Sequence, residues 1–265
     1  MIKKIAEIEF LRKVTFPILR KLNFEYGWKH DVTLRKLYLE TWLHKGYWFY
    51  GSQRELSELK MFRKLINKGD CVFDIGGHIG YIAQIFENLV GEEGKVLVAE
   101  PTPKNMYFLE KNVRDNTEVL PFAMADSNGE MEFYTEQFGG FTNSLLSEFT
   151  EGSNKRFSVL QHSSEKLIPK IIVEVKTVDS ICEQYEVKPN FLKIDVEGAE
   201  LSVLKGAELV LKNTKALMVE VSRNHREIFE FLAAYGFIAL DAEGCSLEGK
   251  ITDGNKNIFF VKGNL

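Results

Sequence analysis

Cys71-Val72-Phe73-Asp74-Ile75-Gly76-Gly77-His78-Ile79-Gly80 is a short apolar run that ends in an acid and opens into a glycine-rich turn. The pattern predicts a β-strand feeding a nucleotide-binding turn and then a helix. Glycine lets the backbone take angles that bring it close to a ligand, and the first N–H groups of the following helix are unpaired and point at the same place. The spacing is Asp-x-Gly-x-x-x-Gly, through Asp74, Gly76 and Gly80. A dinucleotide site would need Gly-x-Gly-x-x-Gly, which Gly76-Gly77-His78-Ile79-Gly80 does not supply. A plain strand-to-helix turn is the competing reading.

Outward from this stretch, strand and helix patterns alternate. A helix is expected over 80–90, a strand over 95–100, a helix over 103–114 and a strand over 118–122. A polar insertion with Gly139-Gly140 occupies about 135–170 and reads as a lid or loop region. The alternation resumes with a short strand at Ile172–Val175, a strand at 190–195, a helix at 199–212, a strand at 216–221 and a helix at 225–235. Such alternation predicts an α/β fold with a mostly parallel sheet covered on both faces. The last two strands, 236–241 and 257–262, have no helix between them and should pair antiparallel at a sheet edge. Upstream, Leu34, Leu37, Tyr38 and Trp42, and again Leu56, Leu59, Phe62, Leu65 and Ile66, fall at helical spacing; Pro17 interrupts an earlier candidate with Ile5, Ile8, Leu11 and Val14. Residues 1–66 are therefore read as a helical N-terminal extension, and Asn67-Lys68-Gly69-Asp70 as the turn that opens the domain of residues 67–265.

The chain has 265 residues, 45% hydrophobic and 27% charged, enough for one large domain with an extension. No apolar run reaches the roughly 18–20 residues of a membrane-spanning helix, and acid near the start does not suit a signal peptide, so a cytoplasmic address is expected. Three cysteines, at 71, 182 and 245, lack metal-ligand spacing and read as reduced thiols. The net charge of −4 argues against a phosphate-tracking surface and nucleic acid as partner. Charge is uneven: the first fifty residues hold ten Lys plus Arg against five Asp plus Glu, hence +5, and the remainder carries −9. All three tryptophans, Trp28, Trp42 and Trp48, lie in that basic segment.

Glu100 ends the second strand, where a carboxylate can accept both hydroxyls of a ribose. Dehydrogenases place an acid there too, and a solvated strand end is the plainer alternative. Together with Asp74 it points to S-adenosylmethionine. Lys193, Asp195 and Glu197 then alternate along a strand end, and a period of two places them on one face at the carboxyl edge of the sheet. Ionisable groups that converge there shift one another's pKa values, which suits proton transfer. Glu200 is read as a helix-start carboxylate favoured by the dipole.

Five segments carry a resemblance to the FkbM-type branch of class I S-adenosylmethionine-dependent methyltransferases, covering roughly residues 52–262. They are the stretch from Lys68 to Tyr81, Val98-Ala99-Glu100-Pro101-Thr102-Pro103, the stretch from Ala123 to Glu130, Val175-Lys176-Thr177-Val178-Asp179, and above all Leu192-Lys193-Ile194-Asp195-Val196-Glu197-Gly198-Ala199-Glu200. The resemblance implies a Rossmann-like fold with a seven-stranded, mostly parallel sheet and an antiparallel last strand, and O-methylation of sugars or related hydroxyls. It also implies that Asp74, Gly76, Gly77, His78, Gly80 and Tyr81 wrap the amino-acid end of the cofactor, that Glu100 and Pro101 stand at its ribose, that Ala123 and Asp126 lie beside the adenine, and that Asp195 sits near the sulfonium. Ser144, in Thr142-Asn143-Ser144-Leu145, matches a family loop that approaches the site, with a surface turn as the equal alternative. His78 stands where the family often has Asn.

Methyl transfer needs alignment and one base. Asp195 is the first choice and His225 the second, with Glu197 and Lys193 positioning either. Asp195 with Glu220 offers two carboxylates to a divalent metal, but scattered strand-end acids serve solubility as well, and metal is not favoured. A non-catalytic scaffold that merely keeps the fold is the alternative function, disfavoured by the intact Asp74, Glu100 and Asp195. The expected partner is a small-molecule or glycan acceptor. The N-terminal segment is read first as helices packed over the cleft with its tryptophans in the core, with sugar stacking, peripheral contact with an anionic membrane, or a homodimer contact as the other options.

Overall fold

A computed structural model of the chain describes residues 21–50, 55–135, 143–146, 169–247 and 256–263. The chain divides into two compact units, Met1–Arg54 and Glu55–Leu265.

In the first unit, β1 (Glu25–Lys29) and β2 (Lys36–Glu40) pair antiparallel, with Tyr26 opposite Leu39 and Trp28 opposite Leu37. A short helix, α1 (Lys45–Tyr50), follows. The helix expected around Leu34, Leu37, Tyr38 and Trp42 is thus corrected to a hairpin. Lys36-Leu37-Tyr38-Leu39-Glu40 alternates with period two, and Leu37 and Leu39 are buried together on one face while Tyr38 covers Gly27 on the other. Nor is every tryptophan in a core, since Trp28 is exposed. The candidate helix with Ile5, Ile8, Leu11 and Val14 lies outside the described residues.

The second unit opens with α2 (Leu56–Leu65), which the sequence reading assigns to the extension. Seven strands form its main sheet: β3 (Cys71–Ile75), β4 (Lys95–Ala99), β5 (Glu118–Leu120), β9 (Phe191–Ile194), β10 (Ala216–Val221), β11 (Phe237–Leu240) and β12 (Lys256–Lys262). Their order is β11-β12-β10-β9-β3-β4-β5, parallel except for β12, which runs antiparallel to both β10 and β11. The expected antiparallel pair at the edge is therefore present. Helices α3 (Tyr81–Val90), α4 (Pro103–Asn112), α5 (Val178–Gln184), α6 (Glu200–Lys205), α7 (Glu208–Asn213) and α8 (His225–Ala234) alternate with the strands.

Both sheet faces are covered, which is why the central strands read as unbroken apolar runs. Phe73, Ile75, Leu97, Leu192, Ile194, Leu217 and Val219 are buried in one cluster. Phe62 of α2 has its ring centroid 5.0 Å from Phe86, 5.8 Å from Phe191 and 5.7 Å from Phe259, all edge to face. Helix α2 is thus part of this unit's aromatic core.

A second sheet of three strands, β6 (Ala123–Met124), β7 (Gly129–Tyr134) and β8 (Lys170–Lys176), has the order β6-β8-β7. The sequence reading finds β8 in shortened form and misses β7, whose run Gly129-Glu130-Met131-Glu132 is exposed throughout and leaves only Phe133 fully buried.

Candidate functional site

The strand order reverses at β3. Strands β4 and β5 continue to one side, and the chain returns to lay β9 and β10 on the other. A reversal of this kind leaves a crevice beyond the carboxyl ends of the strands. Asp74, Glu100 and Asp195 stand at the ends of the three strands that border it: Asp74 within β3, Glu100 directly after β4 and Asp195 directly after β9.

Close approach of those ends requires glycine. Gly76 has φ +83°, and a Cβ there would stand 1.9 Å from the Asp195 carbonyl oxygen. A Cβ on Gly77 would stand 2.1 Å from Val98 Cγ1. Gly80, at φ +85°, precedes α3. The sequence reading has these glycines making room for a ligand; among the described residues, Gly76 and Gly77 also let β3, β4 and β9 come together. His78, between Gly77 and Gly80, adopts φ +49°.

Asp74 and Lys193 are register partners on β3 and β9. Their side chains are buried, and Lys193 Nζ lies 3.0 Å from Asp74 Oδ1 and 3.3 Å from Asp195 Oδ2. The ammonium also donates to the Gly76 carbonyl at 3.2 Å. One cation thus ties the β3 tip, the glycine turn and the β9 tip together. Burial raises the Asp74 pKa, and the opposing pull of Lys193 only reduces that rise. Asp74 Oδ2 is buried with no hydrogen-bond partner among the described residues.

Asp195 differs in balance. Burial pushes its pKa up, but the Lys193 ammonium and a hydrogen bond from Glu220 outweigh this and hold it below the ordinary value. Its side chain is 34% exposed, against none for Asp74. Glu220, on β10, is pushed up to about 10 by burial and by the charge and hydrogen bond of Asp195. At neutral pH Glu220 therefore holds the proton and donates it to an ionised Asp195. Carboxyl oxygens of Asp195, Glu197 and Glu220 all lie within 4.8 Å of one another, on three half-buried residues. The expected convergence of Lys193, Asp195 and Glu197 is present, but by a different route: β9 ends at Ile194, and Glu197 reaches the group from a turn in which it has φ +52°.

Glu100 is buried and held by three donors: the His78 N–H at 3.0 Å, the Thr102 N–H at 2.9 Å and Asn105 Nδ2 at 3.2 Å. Burial outweighs these bonds and pushes its pKa up to about 7. Thr102 and Asn105 escaped the sequence reading; their signal is an acid followed at two and five residues by a helix-opening Thr and an amide. Pro101 is half-buried between Glu100 and Thr102, and Tyr81 is the buried first residue of α3.

Ser144 is fully buried, not a surface turn. Its hydroxyl donates to the Glu197 carbonyl at 2.7 Å, and the neighbouring Asn143 Nδ2 donates to Thr102 Oγ1 at 3.1 Å. Residues 143–146 thus span from the β9 turn to the β4 turn. The rest of the expected lid, 136–142 and 147–168, lies outside the described residues.

The other expected site residues have the following surroundings. Ala123 packs in the core of the second sheet with Phe133, Val173 and Val175. Asp126 is exposed, and its N–H donates to Ser202 Oγ at 3.1 Å. His225 opens α8, and the three-carboxylate group forms without it. Glu200 starts α6 as expected and does more: it accepts from the Gly198 N–H at 2.6 Å and the Ser222 hydroxyl at 3.1 Å, with its pKa pushed by burial up to about 7.

Residues 74–239 match the family described as the methyltransferase FkbM domain. The chain belongs to the FkbM methyltransferases. A relative, hexuronic acid methyltransferase AglP of Haloferax volcanii, is 28% identical over 173 residues, which cover 63% of this chain and 62% of AglP. Among solved structures, precorrin-6y C5,15-methyltransferase of Geobacter metallireducens overlays with a TM-score of 0.42 at 13% identity, covering 80% of this chain and 90% of that one. A SAM-dependent methyltransferase of Aquifex aeolicus gives 0.40 at 14%, covering 79% and 90%. The fold assignment rests on the strand order above, not on these overlays.

This FkbM methyltransferase is S-adenosylmethionine-dependent. The residues at the sheet edge fit that donor: Asp195 presents a partly exposed carboxylate, held below its ordinary pKa chiefly by Lys193, where a cationic ligand can meet it. No helix among the described residues is long and apolar enough to cross a membrane.

Proposed function

We propose that the protein transfers a methyl group to a hydroxyl of a sugar, a glycan or a related small metabolite, with Asp195 receiving the hydroxyl proton. One observation carries the assignment of Asp195: it is a half-exposed carboxylate at the crevice, kept ionised by Lys193 at 3.3 Å and by the protonated Glu220. Asp74, closer to Lys193 at 3.0 Å, is sealed from solvent and cannot reach an acceptor.

The donor, when bound, supplies an already activated methyl carbon. The chain's own task is then to hold the acceptor oxygen in line and take its proton as the O–C bond forms and the S–C bond breaks. Asp195 accepts a hydrogen bond from the hydroxyl before transfer and the proton after it. Glu100, fixed by three donors, is suited to the ribose, and the turn from Asp74 to Tyr81 to the amino-acid end. Lys193 keeps Asp195 oriented, and Glu197 borders it. A carbohydrate acceptor is supported by the hexuronic acid methyltransferase relative, at its low identity.

The test is transfer of tritiated methyl to a panel of sugars, nucleotide sugars and glycans, with and without EDTA, by the parent and by Asp195→Asn. The variant should bind donor normally and lose about 10²–10⁴-fold in turnover, the range for a general base. Full turnover by Asp195→Asn removes it from the role, and loss of turnover in EDTA gives the carboxylate group to a metal instead of a shared proton.

A further inference from the structure

The first unit presents a surface that the methyl-transfer chemistry does not use. Tyr26 and Trp28 alternate along β1, and Phe24, whose carbonyl accepts from the Thr41 N–H, continues the pairing just before it, so the three side chains share one face; Leu22 lies in the turn that precedes them. They remain 56%, 49%, 40% and, for Leu22, 57% exposed. On the same face Leu37 and Leu39 of β2 are fully buried, so the half of this face that β2 carries is covered while the half that β1 carries is open. From Phe24 to Trp28 the chain covers about 13 Å. At the hairpin tip Leu34 is 72% exposed and adopts φ +58°, an uncommon backbone for a bulky side chain. Exposed Lys21 precedes the stripe, and exposed Lys29 and Lys36 pair next to the tip on the opposite face of the hairpin, where exposed Glu25 and, at the tip, Asp31 also stand.

An apolar stripe and tip edged by lysines call for an occupant that is both apolar and anionic. We infer that the β1–β2 hairpin docks the protein onto an anionic phospholipid surface, with Leu34 and the Phe24–Trp28 stripe entering the headgroup boundary and the lysines meeting the phosphates. Three observations favour a bilayer. The first fifty residues carry +5, and residues 21–50 hold five Lys plus Arg against three Asp plus Glu, so an anionic surface attracts this segment. The side chains are those that settle at a membrane interface: aromatics with a polar tip, leucine, and lysines able to snorkel. The rings also do not make a flat platform for a sugar. Phe24 and Tyr26 meet at 82° with centroids 6.5 Å apart, and Tyr26 and Trp28 at 57° and 6.4 Å.

The test sediments the full chain with sucrose-loaded vesicles of phosphatidylcholine alone, or of phosphatidylcholine with about a third phosphatidylglycerol, at low and high salt. Binding is expected on the anionic vesicles at low salt, several-fold weaker at high salt and on the neutral ones. Leu34→Gly should weaken it about tenfold, the worth of burying one leucine. Glycine also accepts the positive φ, so this variant does not lose stability and its defect is not unfolding. Trp28→Ser should weaken binding as well. No sedimentation with anionic vesicles, or equal binding by Leu34→Gly, overturns the proposal. So does a concentration-dependent dimer that Trp28→Ser abolishes without lipid, which would assign the face to a second copy, or quenching of tryptophan fluorescence by soluble oligosaccharide alone. Donor binding measured on the same preparations separates failure here from failure of the proposed methyl transfer.

Discussion

Lys193→Met removes the ammonium but keeps most of the aliphatic stem, and so tests the ion network at the switch point. The cation lies 3.0 Å from a carboxylate with no exposure and 3.3 Å from a second, and donates to the Gly76 carbonyl. Removing one partner of a buried pair costs about 3–5 kcal/mol, because the other charge is left uncompensated. The loss depends on pH with a definite sign. Asp74 already has a raised pKa in the folded protein, and without Lys193 it rises further. A carboxyl of raised pKa contributes stability below its unfolded value and loses it as pH rises towards the folded value. The deficit of the variant should therefore be near the full 3–5 kcal/mol at pH 8 and about half of that or less at pH 5. Urea unfolding of parent and variant at both pH values reads it. Asp74→Asn added to Lys193→Met should cost less than the two single changes summed, because the stranded charge is gone. A deficit below about 1 kcal/mol at pH 8, or equal deficits at both pH values, refutes the buried network.

Two further changes probe neighbouring parts of the site. Glu220→Gln keeps a donor towards Asp195, so stability near pH 4, where the parent carboxyl is protonated in both the folded and the unfolded chain, should be unchanged, and the variant should be the more stable at higher pH. The parent loses stability from about pH 5 upward because folding holds the Glu220 pKa up to about 10, and the variant should show a shallower decline between pH 7 and 9, read by thermal melts. Gly76→Ala forces a Cβ to 1.9 Å from the Asp195 carbonyl at φ +83°, and should cost more than about 4 kcal/mol or abolish folding; a soluble variant with a parent-like melt would contradict the described approach of β3 and β9.

Much of the catalytic unit is legible because its determinants are local. Strands buried on both faces give continuous apolar runs such as Val72-Phe73 and Val96-Leu97-Val98-Ala99, and a carboxylate directly after such a run is placed at the sheet edge by the strand itself. Asp74, Glu100 and Asp195 could be read for that reason. What escapes depends on contacts between distant segments. Ser144 meets Glu197 across 53 positions, and nothing near Ser144 in the chain announces a buried hydroxyl. The role of Gly76 is set by the carbonyl of Asp195, more than a hundred residues on. The hairpin at 25–40 was obscured because Leu34, Leu37 and Trp42 imitate a helical face; only the pairing of Tyr26 with Leu39 and Trp28 with Leu37 reveals the shorter period. Ala123 and Asp126, assigned by resemblance alone, stand with the second sheet and with Ser202.

The central claim is that carboxylates at neighbouring strand tips hold the methyl donor while Asp195 serves the acceptor. Calorimetric titration with S-adenosylhomocysteine, on the parent, Glu100→Ala and Asp195→Asn, tests it most directly. Saturable binding by the parent, loss by at least about a hundredfold in Glu100→Ala, as expected when a buried two-hydroxyl contact is removed, and near-parent affinity in Asp195→Asn is the predicted result. Folded parent protein that gives no heat of binding, or Glu100→Ala that binds as well as the parent, would contradict it.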